Sequence, residues 1–470
     1  MSCEFADDLY ICWNAPVYRK VYPMDIHDDS GWLVSANTKS TVDIDESDLE
    51  KLLQLADLED QWAENVKNEV CDYDKKPRGS GMELLIHPFR IMDAGGTVVQ
   101  YPFGYICTFP SRRHLFRGER QDYSRSEASL MRRCRDKAGK KLSPKEIELL
   151  HVISNMRIVQ FRKFIWQFDI IPQWEGKLSE VNYKALAQHY GFETFLLDLT
   201  NNVRDALFFA TCKWVNDHFE PLTQEDIAAS TQSQFGVIYH SPDWKLGFMN
   251  GDSFLRLRAS FEKEKNRLRP SVIDTGLWDG VAYQIGLQPF YRAHMQCGYV
   301  YPMKTLEDIR YSREFERMRF RQTVEFSRRM YELMDGGNKI YPEEGIIAVN
   351  PVLQKIQRAL VFSEDDLLWA YELDEANKEM FPDISDLRRE LEAEETAALL
   401  HSAYGVEERL IIQAEEVSYP ISEEVKAYIN RQYNDKPFLA SVGGMMHTTQ
   451  EAQDYRRERY CQIYGEYPEE

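Results

Sequence analysis

The sequence predicts an α+β protein in which a central mixed α/β domain lies between an N-terminal α+β region and a mostly helical C-terminal region. Short apolar runs bounded by turn residues, such as residues 235–240, are typical of strands and alternate with amphipathic helical segments. Beyond about residue 305, long charged segments with helical spacing dominate. We therefore expect three regions, formed by residues 1–108, 109–305 and 306–470.

Composition narrows the class of protein. The chain has 470 residues, which is more than one hydrophobic core usually supports. Its formal net charge of −20 disfavours general binding to nucleic acid or to membranes, because both are anionic. We recognise no signal peptide and no membrane span of roughly 20 apolar residues. The eight cysteines are scattered without a Cys-x-x-Cys pair, so we expect a reducing, cytoplasmic location and no metal site.

Local patterns predict the elements of the N-terminal region. Residues 9–13 are strand-like, and residues 47–66 form an amphipathic helix that begins with a capping box of Ser47 and Glu50. Residues 72–81 are typical of an exposed loop, and residues 92–101 of a turn followed by a strand. The glycine pair in that turn lacks the spacing of a phosphate-binding loop.

A basic window at residues 112–141 interrupts the acidic chain and contains one short predicted helix. A long helix follows, which begins at Ser143 and Pro144, and Glu146 completes its capping box. Apolar residues at three- and four-residue spacing extend this helix to about Phe168. The basic window is either a solvated helix face or a site for a phosphate or pyrophosphate, which guanidinium groups bind well.

Residues 188–200 interleave polar groups that can do chemistry with apolar side chains that must be buried. The polar residues are His189, Tyr190, Thr194 and Asp198. This pattern is typical of a site on a rigid scaffold, and also of a buried helix, turn and strand whose polar groups are satisfied. Because Asp198 lies between two leucines, we expect its carboxylate to be buried and held by hydrogen-bond donors.

The stretch is followed by a predicted helix and several predicted strands. Residues 200–202 supply the cap of a helix that reaches Trp214. Strands are then expected at residues 235–240, 271–274 and 281–284.

Three sequence blocks, in order, resemble the FRG family, which is named after a Phe-Arg-Gly motif. The first block is Phe116-Arg117-Gly118, the second covers residues 188–200 and 206–210, and the third contains Arg292, Gln296 and Gly298. The resemblance covers about residues 109–305. The chain departs from the family pattern at three positions. Leu199 stands where the family usually has Trp, Phe195 where it often has Arg, and Glu119 where Gln is common.

A weaker resemblance is to ADP-ribosyltransferases of the Arg-Ser-Glu type, and it implies NAD as a substrate. Arg117 resembles the arginine that holds NAD, and Gln296 stands at the position of the late glutamate. Thr194 and Thr200 both fit the middle element. A glutamine cannot act as a general base, so this chemistry would need Glu193 or Asp198.

Two functions therefore compete. The first is an NAD-using ADP-ribosyltransferase-like or NAD-cleaving effector of a defence or toxin system, with a protein or nucleic-acid target and no membrane partner. The clustered polar groups favour it. The alternative is a non-catalytic sensor module that binds a nucleotide, a nucleic acid or a phage component, and the absence of a late glutamate favours that alternative.

The enzyme hypothesis predicts that distant residues converge. Arg117, Asp198 and Gln296 would form the catalytic part of one pocket. Its substrate-binding residues would be His189, Tyr190, Thr194, Thr200 and Arg292. Arg117 is expected to grip the ligand or to pair with the Asp198 carboxylate, and the two roles are not exclusive. His189 is either a ligand contact or a satisfied histidine at a helix end.

Overall fold

The computed structural model describes residues 41–54, 56–57, 97–101, 104–108, 114–172, 181–242, 282–285, 288–290, 292–296, 298–303, 308–311, 315–434 and 445–446. Three of the predicted elements, at residues 9–13, 72–81 and 271–274, lie outside these residues.

The described strands and helices alternate along much of the chain. The strands are β1 (Thr41–Ile44), β2 (Thr97–Tyr101), β3 (Gly104–Thr108), β4 (His114–Glu119), β5 (Leu196–Thr200), β6 (Cys212–Val215), β7 (His218–Pro221), β8 (Phe235–Pro242), β9 (Tyr283–Gln284), β10 (Gly298–Pro302), β11 (Glu316–Arg321), β12 (Val361–Ser363), β13 (Ile411–Gln413) and β14 (Met445–Met446). The helices are α1 (Ser129–Arg133), α2 (Pro144–Ile165), α3 (Tyr183–His189), α4 (Val203–Thr211), α5 (Gln224–Ala228), α6 (Arg292–Met295), α7 (Val324–Leu333), α8 (Asn350–Gln357), α9 (Glu364–Glu372), α10 (Glu375–Met380), α11 (Ile384–Leu391), α12 (Glu394–Tyr404) and α13 (Glu423–Asn434). Residues 46–54 form a further helical segment, and short 3₁₀ helices cover Ile309–Tyr311, Asp335–Gly337 and Gly345–Val349.

A seven-stranded mixed sheet forms the centre of the fold, with the strand order β1-β11-β8-β4-β5-β10-β9. β1 pairs with β11 in parallel, and the other neighbours in this sheet are antiparallel. Helices cover both faces, which confirms the predicted α+β class. β1 and β11 come from the predicted N-terminal and C-terminal regions, so the sheet runs across both predicted boundaries. A shared sheet, which composition does not reveal, defines this structural unit.

The pleat of the sheet separates two faces. Arg117 on β4 lies opposite Tyr239 on β8, whereas Phe116 lies opposite Thr200 on β5. Because successive side chains of a strand point to opposite faces, Arg117 and Thr200 belong to different faces. We name the two faces of the sheet after the helices that pack on them. The core of the α2 face includes residues of α2 together with Leu115, Leu197, Leu199 and Tyr239. The core of the α4 face includes residues of α4 together with Phe116, Ile238, Met318 and Phe320.

Helix α2 is the long helix predicted from the sequence, and the predicted capping box of Ser143 and Glu146 is present. It has 22 residues, and every one of residues 147–161 is buried. Its first half packs in the core of the α2 face, and its second half packs with α3, α8 and α13 in a second core. A helix that is buried all round needs partners on every side, and the C-terminal helices supply them.

The C-terminal region is mostly helical, as predicted, and it also contributes strands. β12 and β13 form a separate two-stranded parallel sheet. Ile356 of α8 and Tyr433 of α13 share a core with Phe161 of α2 and with Tyr190. Within the described ranges, no helix combines the length and the hydropathy that a membrane-spanning segment requires.

Gly118 brings strand β4 and helix α4 into direct backbone contact. A Cβ atom on Gly118 would lie 1.7 Å from the main-chain oxygen of Ala206 and 2.9 Å from the main-chain nitrogen of Ala210. No side chain fits in this space, so only glycine allows the helix to approach the sheet this closely. The Phe-Arg-Gly sequence therefore has a structural account: Phe116 enters the core of the α4 face, Arg117 points to the α2 face, and Gly118 seats α4.

We expect the substitution Gly118→Ala to lower the free energy of unfolding by at least about 3 kcal/mol. This value is the upper end of the usual cost of overpacking, and it applies here because the clashing atoms belong to the backbone. Gly139→Ala is the control. Gly139 has a φ of +79°, and a Cβ atom added to it would meet no other atom within 4 Å, so that variant should lose only about 1–2 kcal/mol to backbone strain. Equilibrium denaturation followed by circular dichroism measures both. Equal losses would contradict the proposed close contact.

Candidate functional site

Asp198 is the exposed residue in the middle of strand β5, whose other four residues are buried. The prediction that its carboxylate is buried is wrong. Leu197 and Leu199 pack in the core of the α2 face, and Asp198 points to the opposite face because neighbours in a strand alternate. The apolar run thus places a carboxylate on the α4 face, open to solvent and near the centre of the sheet.

A short hydrogen-bond relay orients this carboxylate. The Thr194 hydroxyl donates to Oε1 of Gln188, and Nε2 of Gln188 donates to Oδ1 of Asp198. Thr194 is itself fixed, because its main-chain nitrogen donates to Oγ of Ser129 over 3.0 Å. None of the described residues donates to the second oxygen, Oδ2 of Asp198. The carboxylate is therefore held on one side and available on the other.

His189 lies next to Asp198 at the C-terminal end of α3. It is 7% exposed, and its side chain is within hydrogen-bonding reach of Gln296. Burial lowers the pKa of His189 below 6.5, which the nearby Asp198 carboxylate opposes and the Arg292 guanidinium reinforces. The imidazole is therefore neutral at pH 7, and among the described residues its Nε2 has no hydrogen-bond partner.

Gly298 on β10 lies close to Ile285 and to the main chain of α6, with His189 in ordinary contact. A Cβ atom on Gly298 would lie 3.6 Å from Cε1 of His189 and 3.0 Å from the main-chain oxygen of Ala293. Gly298 lies opposite Thr200 in the β5–β10 ladder. His189 connects the other two predicted residues, because the Asp198 carboxylate acts on its pKa and Gln296 is within hydrogen-bonding reach of its side chain.

Arg292 and Tyr190 lie behind this cluster and bind groups of the protein itself. Nη1 of Arg292 donates to the main-chain oxygen of His189 at 3.2 Å and to Oη of Tyr341 at 2.9 Å, and its Nε is 3.4 Å from Oε1 of Glu344. The Tyr190 hydroxyl donates to the same Glu344 oxygen over 2.6 Å. Burial and the Glu344 carboxylate raise the pKa of Tyr190 well above its ordinary value. Both side chains support His189 from within the core.

Arg117 does not join the cluster. Its Nε donates to Oε1 of Glu119 at 3.1 Å, and its Nη1 donates to the main-chain oxygen of Asp198 at 3.1 Å. The predicted pairing with the Asp198 carboxylate is therefore wrong, and so is the prediction that Arg117, Asp198 and Gln296 converge in one pocket. The physical reason is the pleat, which sends the Arg117 and Asp198 side chains to opposite faces.

The geometry of the β5 ladder explains why the Asp198 carbonyl is available to Arg117. The main-chain nitrogen of Met303 donates to the oxygen of Phe195, so odd-numbered residues of β5 bond toward β10. The carbonyl of Asp198 then faces β4, where the two strands share a single residue pair, Phe116 with Thr200. The Arg117 guanidinium supplies a donor that the strand lacks.

Glu119 fixes the other end of Arg117. Its Oε1 also accepts from the Ser126 hydroxyl over 2.6 Å, and the main-chain nitrogen of Ser126 donates to Asp308 over 3.0 Å. Glu119 is buried, so a carboxylate where the family often has glutamine gives the arginine a charged partner. Arg117 is thus a brace between β4 and β5.

Thr200 ends β5 just before helix α4, whose N-cap is Asn202. Its Oγ1 accepts from the main-chain nitrogen of Asn202 at 3.0 Å and donates to Asp205 at 3.3 Å, and the residue is buried. The predicted caps of α4 are present, but the helix ends at Thr211 and not at Trp214. Thr200 therefore faces its own backbone.

Several arginines of the basic window bind groups within the chain. Arg133 binds Glu193 at 2.8 Å and lies over the ring of Tyr404, and Arg135 binds Glu127 at 2.6 Å. Arg112 and Arg113 lie outside the described residues. The contacts that are described indicate a structural use of this window.

Sequence reasoning missed an aromatic wall beside the cluster. Trp214 is 44% exposed, and its ring centroid lies 4.9 Å from that of Tyr341 and 4.6 Å from that of Phe219. It lies on strand β6, whose tight turn to β7 is formed by Asn216 and Asp217, both with positive φ. The sequence predicted that a helix reaches Trp214. The Asn-Asp pair is the signal that would instead have predicted a β-hairpin at this point.

Family comparison agrees with the motifs. Residues 112–218 match the model of the FRG domain, and this part of the chain is an FRG domain. The matched range contains Arg117, Gln188, His189 and Asp198, whereas Gln296 follows it. Comparison with curated proteins and with solved structures gave no match.

The contacts of Arg117 and Asp198 predict losses of stability of different size. Arg117→Ala is expected to lower the free energy of unfolding by about 1–3 kcal/mol, because it takes the charged donor from the buried Glu119 carboxylate and the guanidinium donor from the Asp198 carbonyl. Asp198→Ala removes an exposed group and is expected to cost about 0.5 kcal/mol. Urea denaturation of both variants checks this difference. A larger loss for Asp198→Ala would mean that its carboxylate carries the structural role.

His189 is expected to make stability depend on pH. Its folded-state pKa is lowered, so below pH 6.5 the unfolded chain takes up a proton that the folded chain resists. The contribution of His189 to the free energy of unfolding is therefore complete above pH 6.5. It is lost as the pH falls, by at most about 1.4 kcal/mol per pH unit. Denaturation at several pH values should show a shallower fall for His189→Gln. The exposed His401, replaced by glutamine, is the control and should keep the wild-type slope.

Proposed function

We propose that the FRG domain is an NAD-using enzyme that transfers ADP-ribose or cleaves NAD, and that its site is the cluster of Asp198, His189 and Gln296. One observation carries the proposal. A carboxylate near the centre of a buried sheet is exposed, oriented by Gln188 and left with one available oxygen. Positioned carboxylates of this kind stabilise positive charge that develops in a transition state.

The chemistry assigns a part to each group. As the bond between the nicotinamide nitrogen and C1′ of the ribose breaks, its electron pair leaves with nicotinamide and the ribose gains oxocarbenium character, which Asp198 stabilises. A nucleophilic oxygen or nitrogen then bonds to C1′, and Asp198 or the neutral His189 accepts its proton. Water as the nucleophile gives hydrolysis, and a group on a protein or nucleic acid gives transfer.

The surroundings of Asp198 suit the two ends of a nicotinamide. Gln296 offers both a donor and an acceptor, which match the carboxamide of that ring. Trp214 and Tyr341 offer an aromatic wall, on which a planar heterocycle gains stacking energy of about 1–3 kcal/mol. The Asp198 carboxylate acts on the pKa of Tyr341, which places the wall near the carboxylate.

Arg117 takes a different part from the one that the resemblance to ADP-ribosyltransferases implied. It holds the backbone of Asp198 from the opposite face, so it would position the carboxylate without touching NAD. We expect its loss to act on activity through the orientation of Asp198.

A second candidate function, a ligand-binding sensor, is favoured by one observation. Glu344 accepts hydrogen bonds from Tyr190 beside the cluster and from Tyr433 of α13, the latter over 3.0 Å. Arg292 contacts both Glu344 and the carbonyl of His189. A ligand that moved His189 would therefore act on contacts of the C-terminal helix, as a signalling module of a defence or toxin system requires.

Release of nicotinamide from NAD by the full-length protein tests the first proposal. We expect wild type to release nicotinamide, and Asp198→Asn to lower the rate by about 100-fold or more, as does the loss of other electrostatic groups in active sites. Glu193→Gln is the matched control, because Glu193 is held by Arg133 and should be dispensable.

The alternative outcomes are distinct. Binding of NAD or ADP-ribose by calorimetry without release of nicotinamide would favour the sensor. Equal rates for wild type and Asp198→Asn would remove Asp198 from the reaction.

A further inference from the structure

Three buried side chains form a cluster on the α2 face, away from Asp198. Glu148 and His151 lie one turn apart on α2, and Asp374 lies between α9 and α10; they are 4%, 4% and 5% exposed. Nδ1 of His151 is 3.4 Å from Oε1 of Glu148 and 3.4 Å from Oδ2 of Asp374. One atom from each residue lies within 4.8 Å of the other two. The ring of His151 also packs on Phe195 at 4.9 Å.

The two distances at His151 fit the spacing of ligand atoms around a metal ion. Hydrogen bonds between charged nitrogen and oxygen groups are usually about 2.7–2.9 Å long. Both distances at His151 are longer, at 3.4 Å. Zinc binds histidine nitrogen and carboxylate oxygen at about 2.0–2.2 Å in a tetrahedron, and the edges of such a tetrahedron are about 3.3–3.6 Å.

Asn155 contacts the second nitrogen of the His151 ring. It is completely buried one turn beyond His151, and its amide nitrogen is 3.4 Å from Nε2 of His151. The oxygen and nitrogen of an amide are exchanged by a half-turn, which here places Oδ1 on Nε2 of His151 as a hydrogen-bond acceptor.

That arrangement selects a tautomer. A proton on Nε2, held by the Asn155 oxygen, leaves the lone pair of Nδ1 directed toward the two carboxylates. Metal-binding histidines commonly have their second nitrogen fixed in this way by a carbonyl or carboxylate. In this tautomer the lone pair of Nδ1 is placed to coordinate a cation together with the two carboxylates.

We propose that Glu148, His151 and Asp374 bind a divalent transition-metal ion, with zinc as the best fit to the spacing and to the donor set. Two carboxylates and a neutral imidazole supply the oxygen and nitrogen donors that such an ion binds. The ion would join α2, in the core of the FRG domain, to the junction of α9 and α10 in the C-terminal region. This proposal does not depend on the use of NAD.

The sequence contained a signal for this site. The expectation of no metal rested on the scattered cysteines, whereas Glu148-x-x-His151 places two ligands on one face of a helix. Asp374 is more than two hundred residues away and only the fold brings it near.

Calorimetric titration tests the proposal on the full-length protein, first stripped with a chelator and then dialysed. We expect wild type to bind one equivalent of Zn²⁺ and to melt at a higher temperature once loaded. His151→Ala should lose this binding. If His151→Ala does not fold, the same loss is expected of Asp374→Asn, which keeps the shape of the side chain. Asn155→Ala should bind roughly 10–100-fold more weakly, because it removes the group that orients the imidazole.

The control is His218→Ala, because His218 is an exposed histidine 3.1 Å from Glu220 and should not contribute to binding. Two results would overturn the proposal. One is stripped, folded wild type that binds no zinc, which would identify the cluster as hydrogen bonds between the imidazole and the carboxylates. The other is unchanged zinc binding by both His151→Ala and Asp374→Asn.

Discussion

The contact between Gly118 and helix α4 is the constraint from which the arrangement of the site follows. Because the helix backbone lies directly on β4, the residues on either side of the glycine point to the opposite face, and Phe116 is left to anchor the core beside the helix. The pleat then fixes which side Arg117 can reach. The short Phe-Arg-Gly motif thus specifies a helix position, a core side chain and an inter-strand brace.

Periodicity and capping patterns were enough to predict much of this fold. Helix α2, its cap at Ser143 and the helical C-terminal region follow local rules, which depend on residues close in sequence. The face to which Asp198 points does not follow such rules. Its leucine neighbours suggested burial, and only the pairing of β5 with β4 and β10 shows that the alternation leaves the carboxylate exposed.

Long-range placement explains the remaining differences for the candidate site. Family motifs predicted a site that contains His189, Asp198 and Gln296, and the structure connects the other two residues to His189. The same reasoning assigned Arg117 to the pocket, since a motif gives residue type but not strand register. Glu344, Tyr341 and Asp374 belong to the C-terminal region, and no local pattern connects them with the residues that they contact.

The sheet topology determines how much of the chain is needed to build an FRG domain here. The matched residues 112–218 supply only β4 and β5 to the large sheet, and the strands on their outer sides, β8 and β10, come from later in the chain. A fragment cut at the family boundaries would present the backbone edges of both strands to solvent, together with the apolar faces that β8, β10 and α7 cover. Such a fragment is a candidate for aggregation, so the family segment and the folding unit are different lengths of chain.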